Sequence, residues 1–140
     1  MTDDAEQRLK AAHRWFTEGW AGDIAMADDI FGDELRTNGV HVGPAGPKGR
    51  ITERISAFPD ITTEIVDMFA AGDKVVTHLL WRGTHTGNYG GVEPTHRPAE
   101  VRDIAIWRFE NDKVVEISTL QDQFGLLKQV GLLPSAIRAA

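Results

Sequence analysis

The chain has 140 residues, 41% of them hydrophobic and 26% charged, which suits one globular domain with its own core. Its formal net charge of -6 comes from scattered acids with no basic cluster, which argues against a nucleic-acid partner or an anionic membrane surface. Without a single cysteine it has no disulfide, thiolate nucleophile, iron–sulfur cluster or Cys-type zinc site.

The start, MTDDAEQRLKAAHRWF, puts acids where a signal peptide needs a basic segment and an apolar run. No stretch approaches the roughly 20 apolar residues of a membrane span, so a cytoplasmic protein is expected. Leu9, Ala12, Phe16 and Trp20 recur at three- and four-residue steps and predict an amphipathic helix, interrupted at Gly19 and Gly22. Asp23 is placed to cap a second short helix through Ile24, Ala27 and Ile30. A strand follows over 35–42, then a turn over the Gly43-Pro44-Ala45-Gly46-Pro47 run. Ile51, Ile55 and Phe58 mark a third helix, stopped by Pro59.

From Ile61 the pattern changes to strands. Those over 61–70 and 74–86 flank the hairpin signal Ala71-Gly72-Asp73, and those over 99–109 and 113–122 flank Asn111-Asp112. A glycine- and proline-rich loop spans 87–98, and a last helix over 124–130 ends at Gly131 with Pro134 beyond. With no repeat or linker, one domain over 1–140 is expected. Helices first and antiparallel strands afterwards predict an α+β fold with helices on one face of the sheet.

Three stretches carry a family resemblance. The first is Phe58-Pro59-Asp60 before a strand, with Gly72-Asp73-Lys74-Val75-Val76 after it. The second is Gly83-Thr84-His85-Thr86-Gly87. The third runs from Trp107-Arg108-Phe109 through Lys113-Val114-Val115-Glu116 to Asp122-Gln123-Phe124-Gly125-Leu126-Leu127. With the Gly46-Pro47-Lys48-Gly49 turn, these resemble the SnoaL-like polyketide cyclases of the nuclear-transport-factor-like superfamily. The resemblance implies a strongly curved antiparallel sheet that forms a cone with the N-terminal helices around an apolar pocket.

It also implies a cofactor-independent enzyme acting on a hydrophobic polyketide-type substrate. Intramolecular aldol cyclisation comes first, ahead of hydroxylation of a related aromatic, epoxide opening, and a non-catalytic pocket or dimerisation module. Asp122 matches the family's strand-end aspartate, the general acid/base of the cyclases, and Asn38 a position that points into the pocket. Ala105, Ile117-Ser118 and Asp112 depart from the usual pattern, the first three by removing pocket groups. A homo-oligomer, dimer or tetramer, is implied as well, with Val76, Leu80, Ile104 and Ile106 as candidates for its apolar surface.

Strand pairing gives a second route to the site. If Asn111-Asp112 is a two-residue turn, Asp103, Ala105 and Trp107 share a face with Ser118, Leu120 and Asp122. Asp103 and Asp122 are then diagonal neighbours, with Cβ atoms roughly 5–8 Å apart. Two carboxylates beside apolar groups suit proton transfer, so both are the candidate catalytic residues. A bulge would shift the parity and part them.

Asn38, His41, Trp107, Phe16 and Phe58 are the candidate substrate-binding residues, with Trp107 the aromatic for stacking. His78 lies in a long strand, facing either the cavity or an oligomer face. His41, His78, His85 and His96 show no metal-ligand spacing, and the glycines near 87–91 show no dinucleotide fingerprint, so neither metal nor cofactor is expected.

Overall fold

The computed structural model describes residues 3–138. The expected domain limits, 1 and 140, lie outside that range. Helix α1 (Asp3–Arg14) opens with Asp3, Asp4 and Glu6 and closes with His13 and Arg14, charges that complement the helix dipole at each end. The chain does not break at Gly19. It widens into a π-helical turn, Trp15–Gly19, closed by a bond from the Trp20 N–H to the Trp15 carbonyl at 3.0 Å. A side chain at Gly19 would collide with the Trp15 ring, so glycine lets that ring lie flat along the helix. The extra residue in this turn buries Trp15, Phe16 and Trp20 together.

A 3-10 turn (Ile24–Met26) and helix α2 (Ala27–Ile30) follow, and the Asp23 side chain makes no capping bond. The strand expected over 35–42 is instead a tight hairpin of β1 (Phe31–Thr37) and β2 (Val40–His41). Its turn, Asn38-Gly39, has φ of 50° and 83°, a left-handed pair that Asn-Gly adopts readily. Helix α3 (Ala45–Ala57) begins inside the segment expected to be a turn. Pro44 and Pro47 fall at its cap and first turn, where the backbone N–H has no helical partner to lose.

Strands β3 (Thr62–Ala71), β4 (Lys74–Thr84), β5 (Pro98–Glu110) and β6 (Lys113–Gln121) form three antiparallel pairs in succession. Helix α4 (Gln123–Gln129) ends before Gly131, whose φ is 77°, and a short unanticipated helix α5 (Ser135–Arg138) closes the described chain.

The expected α+β class holds, with one correction to the sheet. It has six strands in the order β2-β1-β6-β5-β4-β3, and β1 runs parallel to β6. The sheet is therefore mixed and open, not purely antiparallel. Turn signals report only pairings between successive strands, and β1 reaches β6 from far away in sequence. No helix among the described residues is long and apolar enough to cross a membrane.

Alternation along β5 is clean. Ala99, Val101, Asp103, Ala105, Trp107 and Phe109 are buried on the face covered by the helices, and the residues between them face outward. Glu110 pairs with Lys113 and Phe109 with Val114, as a two-residue turn dictates, but Arg108 then pairs with Glu116. Val115 is the extra residue of a β-bulge. Beyond it Asp103 faces Gln121 and Ala105 faces Thr119. Because side chains alternate with period two, the inserted residue turns over the whole remainder of β6. Ile117, Thr119 and Gln121 point inward, and Leu120 goes out, 80% exposed.

Candidate active site

A cavity of about 150 Å³ lies between the helices and the inner face of the sheet. Its apolar wall comes from Trp15 and Phe16 on the π turn and Trp20 just after it, Phe31 at the start of β1, Val42 just after β2, Ile51 on α3, and Ala105, Trp107 and Ile117 on β5 and β6. Thr37, Arg50, Arg54, Asp103 and Thr119 supply its polar groups. An engineered cavity of about 150 Å³ holds one benzene ring, so this cavity has room for about one ring. The aromatic wall is fixed by its own contacts. Trp107 stacks on Phe31 at 5.7 Å, meets Phe16 edge-on at 5.5 Å, and donates its indole N–H to Thr77 at 3.0 Å.

Among the described residues Asp103 is the one carboxylate in this wall, and it is 5% exposed. One oxygen accepts the Thr119 hydroxyl at 3.0 Å, and the other lies 3.6 Å from the Arg50 guanidinium. A buried carboxylate is costly unless paired and hydrogen-bonded, and Asp103 has one partner of each kind.

Arg54 follows Arg50 by one helical turn, so both project from the same side of α3. It is also 5% exposed, and its guanidinium lies 4.9 Å from the Trp20 ring and 5.6 Å from the Trp81 ring. It donates to the Gln121 side-chain oxygen at 2.7 Å. Burial, followed by repulsion from Arg50, lowers its pKa to about 10, against a smaller opposing pull from Asp103. The group stays charged at neutral pH.

The structure brings together three of the expected site residues, Asp103, Trp107 and Phe16. The pairing of Asp103 with Asp122 is corrected: the Val115 bulge leaves Asp122 past the end of β6, exposed and outside this cavity. There it caps α4, accepting the Gly125 N–H at 2.9 Å. Asn38 is exposed in the β1–β2 turn, with its amide turned onto the Thr119 backbone. The His41 ring is within hydrogen-bonding distance, 2.8 Å, of the Asp33 carbonyl and is also absent from the wall. Phe58 is buried elsewhere, among Trp81, His85 and Tyr89.

Sequence reasoning missed Arg50, Arg54 and Thr119. Arg54 had a signal: it sits three residues after Ile51 and four before Phe58, on the buried stripe of α3, where a charge needs a reason. Thr119 had none, because its direction depends on the bulge.

A helix-covered sheet thus encloses a largely apolar cavity whose wall holds a buried carboxylate and two arginines, a concave arrangement of the type in which small-molecule sites are found. The chain belongs to the SnoaL-like polyketide cyclase family, whose family model matches residues 10–130. Among solved structures, a protein from Jannaschia sp. CCS1 assigned as a SnoaL-like polyketide cyclase superposes with a TM-score of 0.84 at 19% identity, covering 96% of this chain and 98% of its own. IdmH from Streptomyces antibioticus, assigned as a polyketide cyclase, gives 0.78 at 25% identity, covering 89% and 99%. AclR from Streptomyces galilaeus, assigned as a hydroxylase, gives 0.81 at 23% identity, covering 93% and 99%. No curated protein matches the chain.

Proposed function

We propose that this chain is a cofactor-independent enzyme that closes a ring in a hydrophobic polyketide-type substrate by intramolecular aldol condensation, with Asp103 as its acid/base. The observation that carries this reading is a buried carboxylate in the wall of an otherwise largely apolar cavity. Asp103 takes the proton from a carbon beside a carbonyl, and the bonding pair moves into that carbonyl to form an enolate. The enolate carbon attacks a second carbonyl of the same molecule. The new alkoxide then takes the proton back from Asp103, which restores the carboxylate. Thr119 holds the carboxylate in place, and Trp107 and Phe16 offer faces for the reacting ring. Membership of the cyclase family supports the same chemistry.

The test is incubation with an uncyclised polyketide ester, read by mass spectrometry and by deuterium exchange at the acidic carbon. An aldol closure before dehydration leaves the mass unchanged, whereas hydroxylation adds oxygen and epoxide opening adds water. Asp103→Asn should lower turnover by about 10²–10⁴-fold, the usual worth of a positioned acid/base. Binding without conversion or exchange across a panel of such esters would mark a non-catalytic pocket and sink the proposal.

The chain is further proposed to pair with a second copy through the outer face of the sheet. Phe69, Ile104, Ile106, Leu120 and Phe124 are all exposed there or at its edge, more apolar surface than isolated exposed residues account for. Of the residues expected on that surface, Ile104 and Ile106 are exposed and Val76 and Leu80 are half-buried. Sedimentation of the purified chain tests this, and a monomer at micromolar concentration would refute it.

A further inference from the structure

Among the described residues the charged groups in the cavity wall are two arginines and one aspartate, a positive balance inside a chain whose net charge is -6. Arg50 lies against Asp103. Among the described residues no carboxylate lies within ion-pairing distance of Arg54, and its one side-chain hydrogen bond goes to the neutral Gln121 amide. A guanidinium carries five N–H donors, so most of those on Arg54 are unused. They are not sealed off. Among the described residues the enclosed side-chain nitrogens without partners belong to His78, Trp81 and His85, and none belongs to Arg54. The unused donors therefore reach accessible space, and Arg54 is one of the residues that line the cavity.

The surroundings fix the direction of those donors. Trp20 and Trp81 both lie within cation–π distance of the guanidinium, and Gln121 holds one of its nitrogens. A planar fork held in this way is pre-organised for an oxygen anion. A purely apolar ligand gains nothing from it, because a buried charge without a carboxylate is costly to maintain.

We propose that Arg54 binds the anionic oxygen of the substrate, namely the enolate oxygen that develops as Asp103 removes the neighbouring proton. The substrate class is accordingly a ring-bearing ketone or β-dicarbonyl whose oxygen carries negative charge in the reaction. The inference rests on the reading of Asp103 as the base. As the carbonyl oxygen gains charge, its hydrogen bonds to Arg54 strengthen, and this differential lowers the barrier. Asp103 gives up its own charge in the same step, so the negative charge moves across the cavity from Asp103 toward Arg54.

A single-ring anion is the probe. 4-Nitrophenol is titrated into the protein at a pH where it is ionised, alongside neutral nitrobenzene, with tryptophan quenching as the readout. Wild type should bind the phenolate about tenfold or more tighter than nitrobenzene, as a charge-assisted hydrogen bond allows. Arg54→Met should bring that ratio close to one while nitrobenzene binding is retained, which also shows that the pocket still forms. Arg54→Lys should keep part of the preference. The proposal is overturned if wild type has no preference, or if Arg54→Met keeps it. Turnover by Asp103→Asn is measured in parallel. Normal turnover there with an Arg54-dependent ratio removes the base and leaves the anion site. Lost turnover with an Arg54-independent ratio does the reverse.

Discussion

Asn38 holds Thr119 by both of its backbone groups: the amide nitrogen donates to the Thr119 carbonyl at 3.1 Å, and the amide oxygen accepts the Thr119 N–H at 2.9 Å. A turn residue outside the cavity thus fixes the strand residue whose hydroxyl holds Asp103. Asn38→Gly keeps the left-handed backbone and removes both bonds, so it should destabilise the fold by about 1–2 kcal/mol in urea denaturation. Asn38→Ala should cost about 1 kcal/mol more, because alanine is strained at a φ of 50°. Equal losses in the two variants would show that the backbone strain is negligible.

Asp122 and Asp103 should separate cleanly in a pair of assays. Asp122→Ala removes the cap of α4 and should cost about 1 kcal/mol, whereas Asp122→Asn should cost little, since asparagine caps equally well. Neither should change turnover beyond the loss of folded protein. Asp103→Asn should do the opposite, with stability nearly kept and turnover lost. A large drop in turnover for well-folded Asp122→Asn would move the chemistry out of this cavity.

Acid sensitivity has a local source in Asp60. Its carboxylate accepts the Thr84 backbone N–H at 2.7 Å and the Thr84 hydroxyl at 2.8 Å, and these bonds hold its pKa below the usual carboxylate range. A depressed folded-state pKa contributes stability above the unfolded value, about 3.9, and that contribution is lost as the pH falls through the lower folded value. The stability gap between wild type and Asp60→Asn should therefore be full at pH 6 and shrink toward pH 3. A gap that stays constant across a denaturation series would rule this out.

Leu120→Glu places a charge on the outer face without touching the cavity. The variant should sediment as a monomer and bind 4-nitrophenol like wild type. Persistence of the dimer would put the interface elsewhere.

Most of the fold was legible because its signals are local. Asn111 and Gly72 mark tight turns, Gly131 ends a helix, and strict alternation from Ala99 to Phe109 defines the inner face of β5. The β1–β6 pairing was not legible, because it joins strands distant in sequence and no turn announces it. The site was half legible. Asp103, Trp107 and Phe16 follow from alternation and helical spacing, whereas the direction of everything after Val115 depends on a bulge that composition does not mark. Phe58 was misplaced for another reason: its helix face is buried, but against Trp81 and His85 instead of the cavity.

The bulge also makes the chemistry of the cavity a matter of counting. With Val115 deleted, β6 would resume the parity of its turn, withdrawing the threonine and glutamine that meet Asp103 and Arg54 and facing Leu120 and Asp122 inward. One codon lost would put Asp122 on the same side of the sheet as Asp103 and turn the bracing hydroxyl of Thr119 away from it. On this scaffold the length of one strand, and not only the identity of its side chains, sets which groups meet Asp103.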